Sequence, residues 1–496
     1  MKVPFWGFPG LNLKANLPFY VMRPAYAAFE KEIPMPLQST VGFFKELNCY
    51  EILYSPFMFG SGAPVYRKNK FTNKQAIFFT LTLIERKGVT MGKRSIIFLS
   101  IILAVCLSIV GLSSSSFAKE KEVAYLSLAD YTGPIAGLNV PADMGLEDYI
   151  KDINSKGGVD GVKIKFIGID TRYDVARAVS AYKRYRRTPK LLVVNSISTG
   201  IGKAVARLIE RDKRLQIVPG DGEFQAHLQR TFIWGPAYQD AFAALMDWVM
   251  DDWRAKGKSG PPVVGYLNWD NPFGRELLRG GKEYAEKLGI KLLPPEFFPP
   301  GTLKHDVYLT RLAKSGAHYI HAGGVDPTPT NIIRDAHALG ITKDIQMTCG
   351  YWGPTALGIG VHAKALEGTA IVSFFQRGEE SRNNAFVTDM WKKYRGSLDK
   401  FNEVYGMGMS WAITYVAGLK SALKAVGYGK LKPDDMYKAY QSITGLDKHG
   451  IQGVCAYSPT SRRGSLEVKI YRVKDGQIVP ITGWRKAPDA VSLHKF

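Results

Sequence analysis

Five short segments carry residue types that hold a small polar ligand. NSISTG (residues 195–200) places the Ser196, Ser198 and Thr199 hydroxyls just ahead of a helix-patterned stretch. Hydroxyls together with the free N–H groups of a helix start attract an anion, and simple capping by Ser198 or Thr199 fits the same residues. PGDGEF (219–224) sets Asp221 between Gly220 and Gly222. Those glycines admit a ligand close to the backbone, and an ordinary turn has the same composition. NWDNPFG (268–274), GGVDPTPT (323–330) and CGYWGP (349–354) add Trp269, Phe273, Asp326, Tyr351 and Trp352. One aromatic at a strand end is ordinary packing. Five such loops in series point to a binding cleft.

Catalytic patterns fail on inspection. A nucleophile elbow needs Gly-x-Ser-x-Gly, and Ser196 takes the first glycine position around Ser198. AKGKSG resembles the end of a phosphate loop, yet Asp252 stands where its first glycine belongs. HYIH spaces His318 and His321 three apart, which on a strand sends them to opposite faces and disfavours a metal. No HExxH occurs. The expectation is a binding protein that is not an enzyme, with no metal and no cofactor.

The chain has 496 residues and a formal net charge of +22, enough length for two or three domains. Residues 1–118 hold 13 Lys/Arg, 5 Glu and no Asp; residues 119–496 hold 53 basic and 39 acidic residues. The densest basic run, YKRYRR (182–187), reads as the solvated end of a helix, so no nucleic acid is expected as a partner. The four cysteines form no CxxC, and Cys349 and Cys455 are either a pair or two buried thiols.

MGKRSIIFLSIILAVCLSIVGLSSSSFAKE (91–120) reads as a chain start. Its uncharged apolar run is about 16 residues, short of the roughly 20 that span a bilayer. Lys93 and Arg94 precede the run, and Ser116 and Ala118 give the small-x-small pattern of a signal-peptide cut. Residues 91–118 are therefore expected as a signal peptide cleaved near Ala118. Modification of Cys106 as a lipoprotein and an uncleaved anchor are the alternatives. Residues 1–90 show no sustained periodicity and read as an extension ahead of the true start, Met91.

The elements behind the loops alternate. Apolar runs at 123–128, 162–170, 191–194, 215–218 and 263–267 read as strands, interleaved with amphipathic stretches at 143–154, 172–187, 202–211, 240–253 and 274–289. Repeated β-α units predict mainly parallel sheets covered on both faces. There are too many units for one small sheet, so two α/β lobes are expected, with ligands beyond the carboxyl ends of the strands.

From residue 121 to 485 the chain resembles the Leu/Ile/Val-binding protein family, the type I periplasmic solute-binding proteins of ABC importers. The likeness rests on YTGPIAG (131–137), INSKGGVDGVKIKFIGID (153–170), the Ser-x-Ser-Thr loop, NPFG, RDAHALGI (334–341) and the tail at 453–481. The resemblance implies two doubly wound parallel-sheet lobes joined by three crossover hinges near Gly235, Ser373 and Gly453. Lobe 1 is then 119–235 plus 374–453, and lobe 2 is 236–373 plus 454–496. It also implies a periplasmic monomer that captures a small solute and works with permease and ATPase subunits. A sensory domain of the same fold, coupled to a signalling partner, is the alternative. By resemblance, Ser196, Thr199, Gly220 and Gly222 meet the solute carboxylate and Phe273 covers it; Ser198, Tyr131 and Trp269 are further candidate ligand contacts from their loops. Trp352, or Tyr351 beside it, stands where amino-acid-binding members carry the acid that meets the ammonium. An unpaired buried ammonium is costly, so an apolar or aromatic acid, or a small amide, fits better than a standard amino acid unless Asp326 or Asp221 substitutes.

Overall fold

The computed structural model describes residues 120–496, so the expected signal peptide and the extension before it lie outside the described residues. Strands β1 (Glu122–Ala129), β2 (Lys163–Asp170), β3 (Leu191–Ser196), β4 (Leu215–Val218) and β5 (Thr231–Ile233) form an all-parallel sheet in the order β2-β1-β3-β4-β5. β1 shows why. After Glu122 every residue of it is buried, as a strand covered on both faces requires. Ala124, Leu126 and Leu128 pack with Ala178, Ile201 and Val205 of the helices Val175–Tyr185 and Thr199–Arg211. Tyr125 points the other way and meets Tyr415 edge-on at 4.9 Å.

That other face is covered by the helices Ala136–Ser155 and Val404–Lys430. They touch backbone to backbone. A Cβ on Gly145 would lie 2.0 Å from the Tyr405 carbonyl oxygen, and one on Gly408 would lie 1.7 Å from that of Ala142. Two helices far apart in sequence thus close one lobe through paired glycines.

The second sheet runs β13-β12-β11-β10-β9-β6-β7. Its parallel core is β6 (Val263–Trp269), β7 (Lys291–Leu292), β9 (Tyr319–Ala322), β10 (Gln346–Cys349) and β11 (Ala370–Ser373), with β8 (Glu296–Phe298) also on β6. It ends in an antiparallel hairpin, β12 (Glu467–Lys474) and β13 (Gln477–Pro480), with β14 (Arg485–Lys486) on β12. The stretch 274–289, expected as one helix, is divided between Pro272–Glu276 and Leu278–Lys287. Gly280 breaks it at φ 105°, where a Cβ would strike the Ala490 carbonyl oxygen at 2.1 Å.

The chain passes between the sheets three times: after β5, after β11 and before β12. These passes are bonded to one another. Ile233 N donates to Arg462 O at 2.9 Å, Gly464 N to Ile233 O at 2.9 Å, and Gln376 N to Ile451 O at 2.8 Å. Gly235 lies flat against the Phe374 ring, where a Cβ would come within 2.6 Å. Cys349 and Cys455 are both buried and both free thiols. No helix among the described residues is long and apolar enough to cross a membrane.

The glycine contact gives a direct test. Gly145→Ala forces the two helices apart and lowers the unfolding free energy by about 1–3 kcal/mol, the range for overpacking a close-packed core. Urea denaturation of the variant measures it, and an unchanged midpoint would show that the helices separate freely.

Candidate functional site

The carboxyl ends of β3 and β4 supply the first wall. Ser198 caps the helix Thr199–Arg211, its Oγ accepting from Ile201 N at 3.3 Å. Ser196 Oγ donates to Ser198 O and accepts from Ser198 N, both at 3.3 Å. The Ser196 hydroxyl thus bonds within its own loop, while Ser198 also meets the Tyr173 hydroxyl from the loop after β2. The Thr199 hydroxyl instead reaches across, 3.2 Å from the Tyr238 hydroxyl. In the next loop Gly220 sits under the other wall. Its carbonyl accepts from Tyr238 N, and a Cβ there would lie 2.5 Å from Pro236 O and 2.9 Å from the Tyr351 hydroxyl. A Cβ on Gly222 would lie 2.6 Å from the Gln239 side-chain amide nitrogen.

The opposite wall is aromatic. Tyr238 opens the helix Tyr238–Ala255 directly after the first crossover. Its ring stacks on Tyr351 at 5.7 Å and meets Phe273 edge-on at 4.9 Å. Trp352 Nε1 donates to the Tyr238 hydroxyl at 3.4 Å. Phe273 is aimed by a short helix whose cap, Asn271, accepts from Gly274 N at 2.9 Å. Tyr351 also lies edge-on to Phe374 at 4.7 Å. Burial pushes the Tyr238 and Tyr351 hydroxyls far above the ordinary phenol range, so both are neutral donors or acceptors.

Two small chambers lie among these groups. One, of about 10 Å³, is lined by Thr199, Ile197, Ile135 and Tyr173 facing Val325, with Tyr238, Phe273 and Trp352. The other, of about 20 Å³, shares Tyr238, Phe273 and Trp352 and reaches down to Phe242, Asn268, His321 and Val372. Each has room for about one water, so the cleft is closed on its own side chains. Larger hollows of about 340 Å³ beside His318 and about 640 Å³ beside Arg214 exist. Both are at the amino ends of strands, since Tyr319 starts β9 and Leu215 starts β4. Ligands of such sheets bind at the carboxyl ends, and the aromatic chambers are the candidate site.

The remaining sequence-derived residues have other partners. The Tyr131 hydroxyl donates to Asp143 Oδ2 at 2.8 Å, beside β2. Trp269 is buried edge-on to Tyr173 and Phe273, at 6.5 Å and 6.3 Å. The Asp326 carboxylate accepts from Thr330 Oγ1 at 2.5 Å and Thr355 Oγ1 at 3.0 Å, while its amide donates to Trp352 O at 2.9 Å. His318 and His321 part as expected. His318 Nδ1 accepts from Val263 N at 3.0 Å, and His321 faces the second chamber.

Asp221 belongs to a charge cluster that bridges the two walls. Lys203 Nζ lies 2.7 Å from Glu223, 3.1 Å from Asp221 and 3.7 Å from Glu276. Arg279 reaches Glu223 at 2.9 Å and Glu276 at 3.2 Å. The three carboxylates have the spacing of a metal site, with the Lys203 ammonium among them. Asp221 and Glu276 are fully buried. Burial and the Glu276 carboxylate push the Asp221 carboxyl up to about 8, against the pull of Lys203.

Arg377 is a further residue of the site, one that no motif singles out. It follows β11 and is 1% exposed. Its Nη1 donates to Tyr351 O at 3.1 Å, and its Nη2 to Pro354 O at 2.5 Å and Glu403 Oε1 at 3.4 Å. It thereby sets the loop carrying Tyr351 and Trp352. A lone cation just past an apolar strand was the available signal. Tyr238 was also missed, and the Gly-Pro pair before it marks the crossover.

A family model described as periplasmic binding protein matches residues 126–477. The Leu/Ile/Val-binding protein of Citrobacter freundii is 23% identical over 294 residues, covering 58% of this chain and 72% of that protein. Among solved structures, a branched chain amino acid ABC transporter protein from Thermus thermophilus with bound valine has a TM-score of 0.67 at 21% identity, over 76% of this chain and 99% of that one. A solute binding protein of an ABC transporter from R. palustris in complex with benzoate has a TM-score of 0.61 at 17% identity, over 74% and 98%.

Two outcomes test this geometry. Arg377→Met leaves Glu403 buried without its cation and costs about 3–5 kcal/mol of unfolding free energy, read from denaturant melts. A carboxyl with a raised pKa keeps a proton that the unfolded chain has released. Its contribution therefore falls as pH rises from the ordinary carboxylate range toward about 8. Asp221→Asn removes that slope, so Tm drops less between pH 5 and pH 8 in the variant than in the natural chain. Equal drops would show that Asp221 is already ionised at pH 5.

Proposed function

The chain belongs to the periplasmic binding protein family, and we propose that it is the extracytoplasmic solute-binding component of an ABC importer for an apolar or aromatic carboxylic acid. The observation that carries this reading is the state of the two acids able to meet an ammonium. Asp326 is held by two threonine hydroxyls and Asp221 by Lys203. Neither lines the chambers, and no other carboxylate does. An α-ammonium would enter such a cleft unpaired, at a cost of several kcal/mol. An acid without one faces the Thr199 hydroxyl and the positive end of a helix at its carboxylate. Its apolar part meets Tyr238, Phe273 and Trp352.

Among structural neighbours, this fold occurs with bound valine and with benzoate; the aromatic wall here favours the second kind. Sheet membership for 119–235 and 236–373 and for the strands after 454, and the packing of the helix Val404–Lys430 on the helix Ala136–Ser155, support lobe 1 as 119–235 plus 374–453 and lobe 2 as 236–373 plus 454–496. In this reading the protein works in the periplasm as a monomer, closes on its solute by motion at the crossovers, and delivers it to permease and ATPase subunits.

Thermal-shift screening of the mature chain against benzoate, phenylacetate, short branched fatty acids, leucine and valine tests the reading. The acids raise Tm and the amino acids do not. Stabilisation by leucine with none by any acid would overturn it.

A further inference from the structure

The far end of the first lobe carries a basic hollow that the solute site does not use. It measures about 640 Å³ and is lined by Lys183, Arg184, Arg186, Arg187, Asp212 and Arg214, five cations and one carboxylate. Two helix ends bring these residues together. Lys183 and Arg184 are in the last turn of the helix Val175–Tyr185, Arg186 caps it, and Asp212 caps the helix Thr199–Arg211. The Asp212 carboxylate is already matched. It pairs with Arg186, lies 3.7 Å from Arg211 Nε and accepts from the Tyr182 hydroxyl at 2.7 Å. The Arg214 guanidinium donates to the carbonyls of Leu191 and Arg186, which pins the turn between helix and strand. Lys183, Arg184 and Arg187 are exposed, and no carboxylate among the described residues pairs with them. The hollow is left with a positive field that draws anions.

We propose that this hollow docks the phosphate headgroups of an anionic membrane surface. The chemistry of its lining selects that partner. Guanidinium forks match phosphate oxygens two at a time. A protein partner would need an apolar centre to its interface, and a single-stranded nucleic acid would need aromatic rings to stack on. The hollow is lined by neither. It opens at the amino ends of β3 and β4, whereas Thr199 and Gly220 follow their carboxyl ends. Membrane contact therefore leaves the solute cleft uncovered, and lipid and solute bind independently. The inference stands whichever solute the cleft holds.

Co-sedimentation of the mature chain, which lacks the apolar segment at 95–110, with lipid vesicles tests it. The chain binds phosphatidylcholine vesicles that contain phosphatidylglycerol and does not bind phosphatidylcholine alone. Salt releases it between about 0.1 M and about 1 M, as the screening length falls from about 10 Å to about 3 Å. The triple variant Lys183→Gln, Arg184→Gln, Arg187→Gln binds about fivefold more weakly per residue removed, or on the order of a hundredfold in all. Among the described residues Lys183 and Arg187 bond to no other side chain, and Arg184 rests on the adjacent Tyr185 ring at 5.6 Å, so thermal melts of the variant are unchanged. A control variant, Lys291→Gln, Lys304→Gln, Lys314→Gln, removes the same charge from exposed positions of the other lobe and keeps vesicle binding. Equal losses in the two variants would show attraction to net charge alone and overturn the proposal. Calorimetric titration with inorganic phosphate separates a free anion from a membrane surface. Saturable phosphate binding that the first variant abolishes, with no binding to anionic vesicles, would overturn the membrane assignment.

Discussion

The buried guanidinium of Arg377 organises the site. A charge with 1% exposure must be matched on the spot, and its partners are two carbonyls of the loop that carries Tyr351 and Trp352, plus Glu403. Glu403 precedes the long helix that closes the first lobe and also accepts from Ala356 N at 3.2 Å. One side chain at the second crossover therefore fixes the aromatic loop of one lobe to a helix start of the other. The stack of Tyr351 on Tyr238, and the contact of Tyr238 with Thr199, follow from where that loop is held.

The cleft is bracketed by interactions of different character. At its centre neutral hydroxyls and indole meet at 3.2–3.4 Å, contacts that exchange readily for a solute's own groups. At one edge Lys203 and Arg279 join the walls through Glu223 and Glu276, with the Asp221 carboxyl among them. The buried Glu276 makes that edge costly to separate from its cations. Chambers of about 10 and 20 Å³ are what remains when both sets of contacts are made. In the proposed reading, solute binding exchanges aromatic self-contacts for contacts with the ligand.

Much of the fold was legible because parallel sheets covered on both faces demand unbroken apolar strands. β1, β3 and β4 stand where those runs are. The loops after them had to lie at the carboxyl ends, so the places of Thr199, Gly220, Phe273 and Tyr351 followed from order alone. Direction did not follow. Ser196, Ser198 and Thr199 are one loop by sequence, yet Ser196 turns inward to the loop, Ser198 caps the helix and meets Tyr173, and Thr199 crosses to Tyr238. Asp221 and Asp326 were candidate counter-ions by position. Their partners, Lys203 and the threonines at 330 and 355, are set by helix packing that no local pattern encodes.

The sequence by itself determined the strand and helix order and the family, because these depend on local periodicity and on the order and spacing of short motifs. The tertiary structure alone decided which groups are free. Whether a hydroxyl, a carboxylate or an imidazole nitrogen is available to a ligand depends on neighbours from distant segments. Tyr238 and Trp352 are more than a hundred residues apart and share a hydrogen bond.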